Sequence, residues 1–269
     1  MIGQDKVLNK TSKSKGPFLI IGPSGSGKTT LGKEIIKREI SKYDKSKVPI
    51  FEHNNYPDYQ YIKDIKVKDL RSIIQKLSVK PYYNKNYVLI DDIDKLNGAC
   101  QDALLKTIEE NSNSLIIITG TFDRRILKTI KSRCIKLTPQ FVDNNIIKDI
   151  VKKKIDDDKY IENIVFYSEG RIGYANKMLE EEEFYKSMIN DLKDVKSKGP
   201  YVLSQKYGKE FKSNFCEIVS FIELFVSKNY KEKDIMPILD EIYKIKQQQL
   251  NNINLSMAYL NLFIELEKV

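Results

Sequence analysis

Eight residues, Gly22-Pro-Ser-Gly-Ser-Gly-Lys-Thr29, constrain this chain more than any other stretch. The apolar run Phe18 to Ile21 enters them, and a helical pattern from Thr30 to Ile40 leaves them. A loop that holds polyphosphate lies between a buried strand and a helix N-terminus. There the aligned backbone N–H groups and the helix dipole face the anion. Gly22 and Gly27 let the backbone curl around phosphate oxygens with no Cβ in the way. In such a loop Lys28 reaches the β- and γ-phosphates, and the Thr29 hydroxyl is a ligand for Mg²⁺. The alternative is a glycine-rich turn of similar composition, but the strand and helix patterns on either side favour the phosphate loop. Gly22, Pro23, Ser24, Gly25, Ser26, Gly27, Lys28, Thr29 and Thr30 are the expected nucleotide contacts.

Through the first half, short apolar runs alternate with helical periodicity. The expected strands are Phe18–Ile21, Pro49–Glu52, Tyr87–Ile90, Leu115–Thr119 and Ile135–Leu137. The expected helices are Thr29–Lys42, Lys68–Leu77, Ala99–Glu110 and Asp123–Ser132. Such alternation predicts an α/β fold with a parallel sheet and helices on both faces. The unbroken apolar run Val88-Leu-Ile90 fits a strand buried on both sides. After Pro139 strand signals stop. Residues 141–181 read as two or three short helices, broken at Ser168-Glu-Gly170. Beyond them, Phe215, Ile218, Phe221, Ile222 and Phe225 mark one helical stripe, and Asp234–Lys246 and Leu255–Leu266 mark two more.

Composition narrows the class. With 46 Lys+Arg against 37 Asp+Glu the chain carries a formal charge of +9, a balance that favours a polyanionic partner. Cys100, Cys134 and Cys216 lie far apart, without metal-like spacing, and read as reduced thiols of a cytosolic protein. The single His53 excludes a histidine-rich metal site. Apolar runs such as Leu115 to Ile118 are too short to span a bilayer, and residues 1–16 have no apolar signal core, so no membrane or secretion role is expected.

Val88-Leu-Ile-Asp91-Asp92-Ile93-Asp94 is the second chemical signal. A buried strand that ends in acids places Asp91 beside the phosphate loop, where it can hold the Mg²⁺ hydration shell. Asp92 stands where a Glu more often polarises the attacking water, and it is one methylene shorter.

The segment from Ile90 to Glu110, IDDIDKLNGACQDALLKTIEE, resembles the Walker B strand end and following helix of sliding-clamp loader ATPases. Thr129-Ile-Lys-Ser-Arg-Cys134 is similar to the Ser-Arg-Cys motif of that family. Tyr56-Pro-Asp58 with Asp69-Leu-Arg-Ser-Ile-Ile74 resembles the stretch before Walker B in bacterial delta-prime and gamma subunits. Asn252 to Leu260 resembles their last collar helix. The resemblance implies an AAA+ nucleotide-binding domain over residues 1–139, a small helical lid over 140–181 and an all-helical oligomerisation collar over 182–269. It implies ATP and Mg²⁺ as cofactors, Thr121 as the sensor-1 residue, and Arg133 as an arginine that completes a neighbouring subunit's site in trans. The partners implied are other clamp-loader subunits, a sliding clamp and primer–template DNA. The DNA would be held through phosphates without sequence specificity, in the cytoplasm at a nucleoid or in an infected host cell.

Two departures bear on catalysis. The sensor-2 arginine of hydrolysing members aligns with Gly173, as in delta-prime subunits, and Arg171 lies about 200° around the helix from it. The four-cysteine insertion of many relatives is missing, so no zinc is expected. A subunit that hydrolyses ATP, a non-hydrolysing scaffold of the same assembly, another AAA+ replication or recombination ATPase, and a small-molecule kinase remain the alternatives. The kinase leaves Ser132-Arg133-Cys134 without a role. Lys95, Lys106 and Arg71 are the basic residues nearest the motifs. Tyr56, Tyr59 and Tyr61, at near-alternating spacing, suit strand packing better than base stacking.

Overall fold

The computed structural model describes residues 3–12, 14, 16–63, 79–110, 113–210, 215–248 and 254–269. The chain divides into two compact units. The first holds residues 1–156 and 168–177, and the second holds 157–167 and 178–269.

In the first unit, α1 (Asp5–Ser12) precedes β1 (Phe18–Ile21), α2 (Lys28–Tyr43), α3 (Val48–Glu52), β2 (Tyr59–Ile62) and β3 (Asn86–Ile90). There follow α4 (Gly98–Glu110), β4 (Ser114–Gly120), α5 (Lys128–Arg133), β5 (Ile135–Leu137) and α6 (Asn144–Lys152). The five strands are all parallel, in the order β2-β3-β4-β1-β5. Their side chains alternate between two cores. Phe18, Ile20, Leu89 and Ile117 pack with Leu31, Ile35 and Ile36 of α2 on one face. Leu19, Val88, Ile90, Ile116 and Ile118 pack with Cys100, Leu104 and Ile108 of α4 on the other. Burial on both faces is why these strands read as continuous apolar runs.

This strand order positions the site. The register pairs Ile21 of β1 with Gly120 of β4, and Ile90 of β3 with Ile118 of β4. The segments leaving β1, β3 and β4 therefore share one end of the sheet. They carry the glycine loop, Asp91 to Asp94, and Thr121.

Two expectations are corrected. Pro49–Glu52 is not a strand but the helix α3, which has Pro49 in its first turn. A proline there loses no helical hydrogen bond and has its φ already set, and Phe51 alone of this segment is fully buried. The strand in this region is Tyr59–Ile62, whose Tyr59 ring packs edge-on against Phe51 with centroids 4.8 Å apart. The helix expected over Asp123–Ser132 is split into a 3₁₀ turn, Asp123–Arg125, and α5. The Gln101 amide bridges the break: it donates to the Arg125 carbonyl at 2.9 Å and accepts the Leu127 N–H at 3.0 Å, which satisfies backbone groups on either side of it. The helix expected at Lys68–Leu77, with Arg71, lies outside the described residues. The helix α1 gave no signal that was recognised in the sequence.

The remaining helices are α7 (Asp158–Ser168), α8 (Ile172–Glu180), α9 (Glu182–Lys193), α10 (Val195–Lys198), α11 (Pro200–Glu210), α12 (Phe215–Asn229), α13 (Glu232–Gln248) and α14 (Leu255–Glu267). The break at 168–170 is where expected: Glu169 and Gly170 both take positive φ, 50° and 78°, after the end of α7. The stripe from Phe215 to Phe225 is buried, as its spacing predicts.

Candidate functional site

The glycine loop closes tightly on its own strand. Gly22 N–H donates to the Gly120 carbonyl at 3.2 Å, which ties β1 to β4 where both chains leave the sheet. A Cβ on Gly22 would lie 2.8 Å from the Ser26 hydroxyl and 3.2 Å from the Pro139 ring, so any larger residue would have to displace both. Gly25 and Gly27 adopt φ of 75° and 81°. This left-handed backbone turns successive N–H groups inward and is open to glycine at little cost. Gly27 is the N-cap of α2 and no side chain caps that helix, which leaves the first-turn N–H groups at Lys28, Thr29 and Thr30 for an anion.

Lys28 is buried, 8% exposed. Its ammonium donates to the Gly22 carbonyl at 2.9 Å, the Pro23 carbonyl at 3.0 Å and the Thr121 hydroxyl at 3.2 Å. Burial lowers its pKa from the ordinary lysine value, against the pull of Asp92, Asp91 and Asp94. Asp91 accepts three hydroxyls. Thr29 lies 3.0 and 3.1 Å from its two oxygens, Tyr61 is 2.8 Å from Oδ2, and Thr119 contacts Oδ1. Burial first and the Asp91 carboxylate second push the Tyr61 phenol above its usual range. Thr29 and Asp91 present adjacent hydroxyl and carboxylate oxygens, the hard donor set that suits Mg²⁺.

Asp92 is less committed to this centre. It sits in the left-handed region, φ 51°, and pairs with Lys95 at 2.7 Å. Sequence reasoning passed over Asp94, which is 6% exposed and accepts the backbone N–H groups of Thr121 at 2.9 Å and Phe122 at 3.2 Å. It fixes the loop that carries Thr121 near Lys28. Its only sequence signal was a third acid just beyond a strand end.

Lys28, Thr29, Asp91 and Asp92 open onto a cavity of about 250 Å³, lined also by Ser24, Thr30, Lys63 and Gly173. Gly173 lies against the loop itself: a Cβ there would stand 2.7 Å from the Gly25 carbonyl oxygen. Arg171 is held elsewhere, donating to the Ser168 carbonyl at 2.8 Å and stacking over Tyr174. A second cavity, of about 200 Å³, adjoins Ser26, Gly27 and Thr30 and is walled by Gln4, Gln140 and Asn176. Gln4 holds the Gln140 backbone in a reciprocal pair, Nε2 to O at 2.6 Å and N–H to Oε1 at 3.0 Å.

Arg133 is not brought to these cavities. It lies exposed at the end of α5, bonded to Glu109 and, at 3.1 Å, to the Thr129 carbonyl. Beside it, burial pushes the Cys134 thiol up to about 12. Among the described residues no cluster of three or more His, Cys, Asp and Glu side chains is placed to hold a metal, and no helix is long and apolar enough to cross a membrane.

Comparison with known proteins agrees with this architecture. Over 94% of its length the chain is 24% identical to replication factor C subunit 4 of Saccharomyces cerevisiae, of which it covers 80%. The fold is similar to that of a DNA polymerase III gamma subunit-related protein of Thermotoga maritima, with a TM-score of 0.54, 18% identity and 98% of each chain covered. The family described as DNA polymerase III, delta subunit, matches residues 6–141, half of the chain. The chain belongs to this family and is a clamp-loader subunit of the AAA+ fold.

Proposed function

We propose that this chain is an ATP-binding subunit of a sliding-clamp loader, and that it changes its fit to its neighbours according to whether ATP is bound. The observation that carries this reading is the convergence of Lys28, Thr29 and Asp91 on one cavity beside an uncapped helix N-terminus, with Thr121 bonded to Lys28 from the adjacent strand end. The backbone N–H groups of Gly25 to Thr30 cradle the polyphosphate. Lys28 exchanges its carbonyl partners for β- and γ-phosphate oxygens, an ion pair that offsets the cost of its burial. Thr29 and Asp91 hold Mg²⁺, which neutralises phosphate charge. The smaller cavity beside Gln4 and Gln140 receives the base. Thr121, set by Asp94, reads the terminal phosphate, and Arg133 acts in trans on a neighbour's nucleotide.

Residues 182–269 serve as the oligomerisation collar and 140–181 as the lid. The assembly holds a sliding clamp and primer–template DNA through phosphate contacts, in the cytoplasm. ATP favours the closed assembly, and its loss releases clamp and DNA, a linked two-state equilibrium.

A second reading is favoured by two observations: ATP is bound but not turned over at this subunit's own site. Asp92 is paired with Lys95, and the Gly173 backbone packs on Gly25 where a sensor-2 side chain would start. Equilibrium binding of ATP to the full chain, with Mg²⁺, tests the main proposal. Lys28→Ala should weaken binding by about 100-fold or more, the scale of a lost buried charge pair. Wild-type protein that binds no ATP would refute it. Turnover in the reconstituted complex, with every other site inactivated, separates the two readings.

A further inference from the structure

Among the described residues that line the ATP cavity, one cation, Lys63, has no part in the reading above. The charged walls of the cavity are Lys28, Lys63, Asp91 and Asp92. Lys28 is the loop lysine, already ringed by the Gly22 and Pro23 carbonyls and the Thr121 hydroxyl. Asp92 has its counter-ion in Lys95 at 2.7 Å, and Asp91 is satisfied by the hydroxyls of Thr29, Tyr61 and Thr119. Lys63 is therefore not the partner of either acid. It follows Ile62, the last residue of the edge strand β2, and lies exposed on the cavity wall.

The position that could have supplied a second cation from the other side cannot do so. Gly173 has room for no side chain, because a Cβ would meet the Gly25 carbonyl oxygen at 2.7 Å, and Arg171 is bound to Ser168 and Tyr174. A nucleoside triphosphate has one more anionic group than the diphosphate, and the cavity's own side chains include two carboxylates. Without Lys63, Lys28 is the one cationic side chain among the described lining residues that opposes that charge.

We infer that Lys63 binds the terminal phosphate in cis and makes this site selective for the triphosphate over the diphosphate. The inference rests on the ATP-binding reading. In it, the edge strand β2 becomes part of the sensor: Tyr61 touches the Mg²⁺-binding carboxylate and Lys63, two residues on, touches the phosphate that hydrolysis would remove. Loss of that phosphate then acts on the end of β2 as well as on Thr121.

The test uses the full chain and measures dissociation constants for Mg-ATP and Mg-ADP separately. Lys63→Ala should weaken ATP by about five- to tenfold, the effect of one charge-assisted contact at a partly solvated site, and leave ADP within about twofold. Lys63→Arg should keep most of the selectivity, and an unchanged thermal unfolding midpoint would show that the exposed substitution left the fold intact. An equal loss for both nucleotides, or no loss for either, would overturn the role of Lys63 while leaving the site standing. If the wild-type chain bound neither nucleotide, the ATP reading itself would fail, and this inference with it.

Discussion

Asp91 in the sheet unit and Asp191 in the helical unit are buried to similar degrees, 9% and 4% exposed, yet their surroundings differ in kind. Asp191, on α9, is met by cations: Lys198 at 2.9 Å and Lys206 at 2.6 Å, with the Tyr207 hydroxyl at 2.8 Å. Asp91 is met by the hydroxyls of Thr29, Tyr61 and Thr119. Hydroxyls orient a carboxylate and satisfy its lone pairs without pairing its charge, which the nearby Lys28 ammonium meets only through space. An aspartate neutralised by its own fold is a structural tie, whereas one oriented by hydroxyls keeps oxygens that can accept an external cation. The difference separates a residue that holds the helical unit together from one that serves a site.

Paired isosteric substitutions should separate the two roles. Asp191→Asn leaves two lysines facing an amide, and we expect a loss of about 2–3 kcal/mol in denaturant unfolding, moderated by the partial exposure of both lysines. ATP affinity should not change. Asp91→Asn should alter stability by less than about 1 kcal/mol, because the amide oxygen still accepts a hydroxyl, but should weaken Mg-dependent ATP binding at least about tenfold. The same contrast has a pH signature. Burial raises the Asp191 pKa, and the hydrogen bonds from Lys206, Lys198 and Tyr207 outweigh it, so the folded value lies below 3.8. A depressed carboxyl pKa gives stability that is complete above the unfolded value and is lost as pH falls through the folded one. The difference in stability between wild type and Asp191→Asn should therefore shrink below about pH 4. If the two variants behaved alike in both assays, the distinction would be lost.

A smaller effect tests how far the site's order extends. Asp94→Ala leaves the Thr121 and Phe122 N–H groups without their acceptor, and we expect a cost of about 1–2 kcal/mol in thermal or denaturant unfolding. Because Asp94 sets the Thr121 loop, ATP affinity should fall more than ADP affinity. A variant that lost stability with no change in nucleotide preference would reduce Asp94 to a turn-stabilising residue.

The parts of this molecule that could be read from sequence are those whose constraints are local. The glycine loop declares itself because strand, left-handed turn and helix start follow within about a dozen residues, and each demands a particular residue type. The parallel sheet was legible for a similar reason: strands buried on both faces leave unbroken apolar runs. Asp94 was not legible as the anchor of the Thr121 loop, since the N–H groups it binds are 27 and 28 residues downstream. Tyr61 looked like strand packing because alternation fixes a face but not what that face meets. Pro49–Glu52 read as a strand among the alternating apolar runs, yet it is a short helix with Pro49 in its first turn. Gly173 was recognised only as a missing arginine. The structure adds the steric reason, a backbone approach to Gly25 that no pattern in the chain announces.

The smallest effect concerns the residue that contrasts most with Asp91. Arg133 lies outside its own subunit's cavity, exposed and paired with Glu109 on α4, both side chains well solvated. An exposed pair of this kind contributes well under about 1 kcal/mol to stability, so Glu109→Gln should leave unfolding almost unchanged. It does, however, hold the guanidinium that would have to reach a neighbouring subunit's phosphate. Removing that competitor should raise ATP turnover at the neighbouring site by about twofold, the equivalent of a few tenths of a kcal/mol. The measurement is steady-state turnover in the reconstituted assembly, with Arg133→Ala as the reference in which the contact is gone. If Glu109→Gln changed turnover equally in the presence and absence of Arg133, the glutamate would act on the fold of α4 rather than on the arginine. A dependence on Arg133 would show that the two surface residues form a latch between subunits, whereas Asp91 works entirely within one.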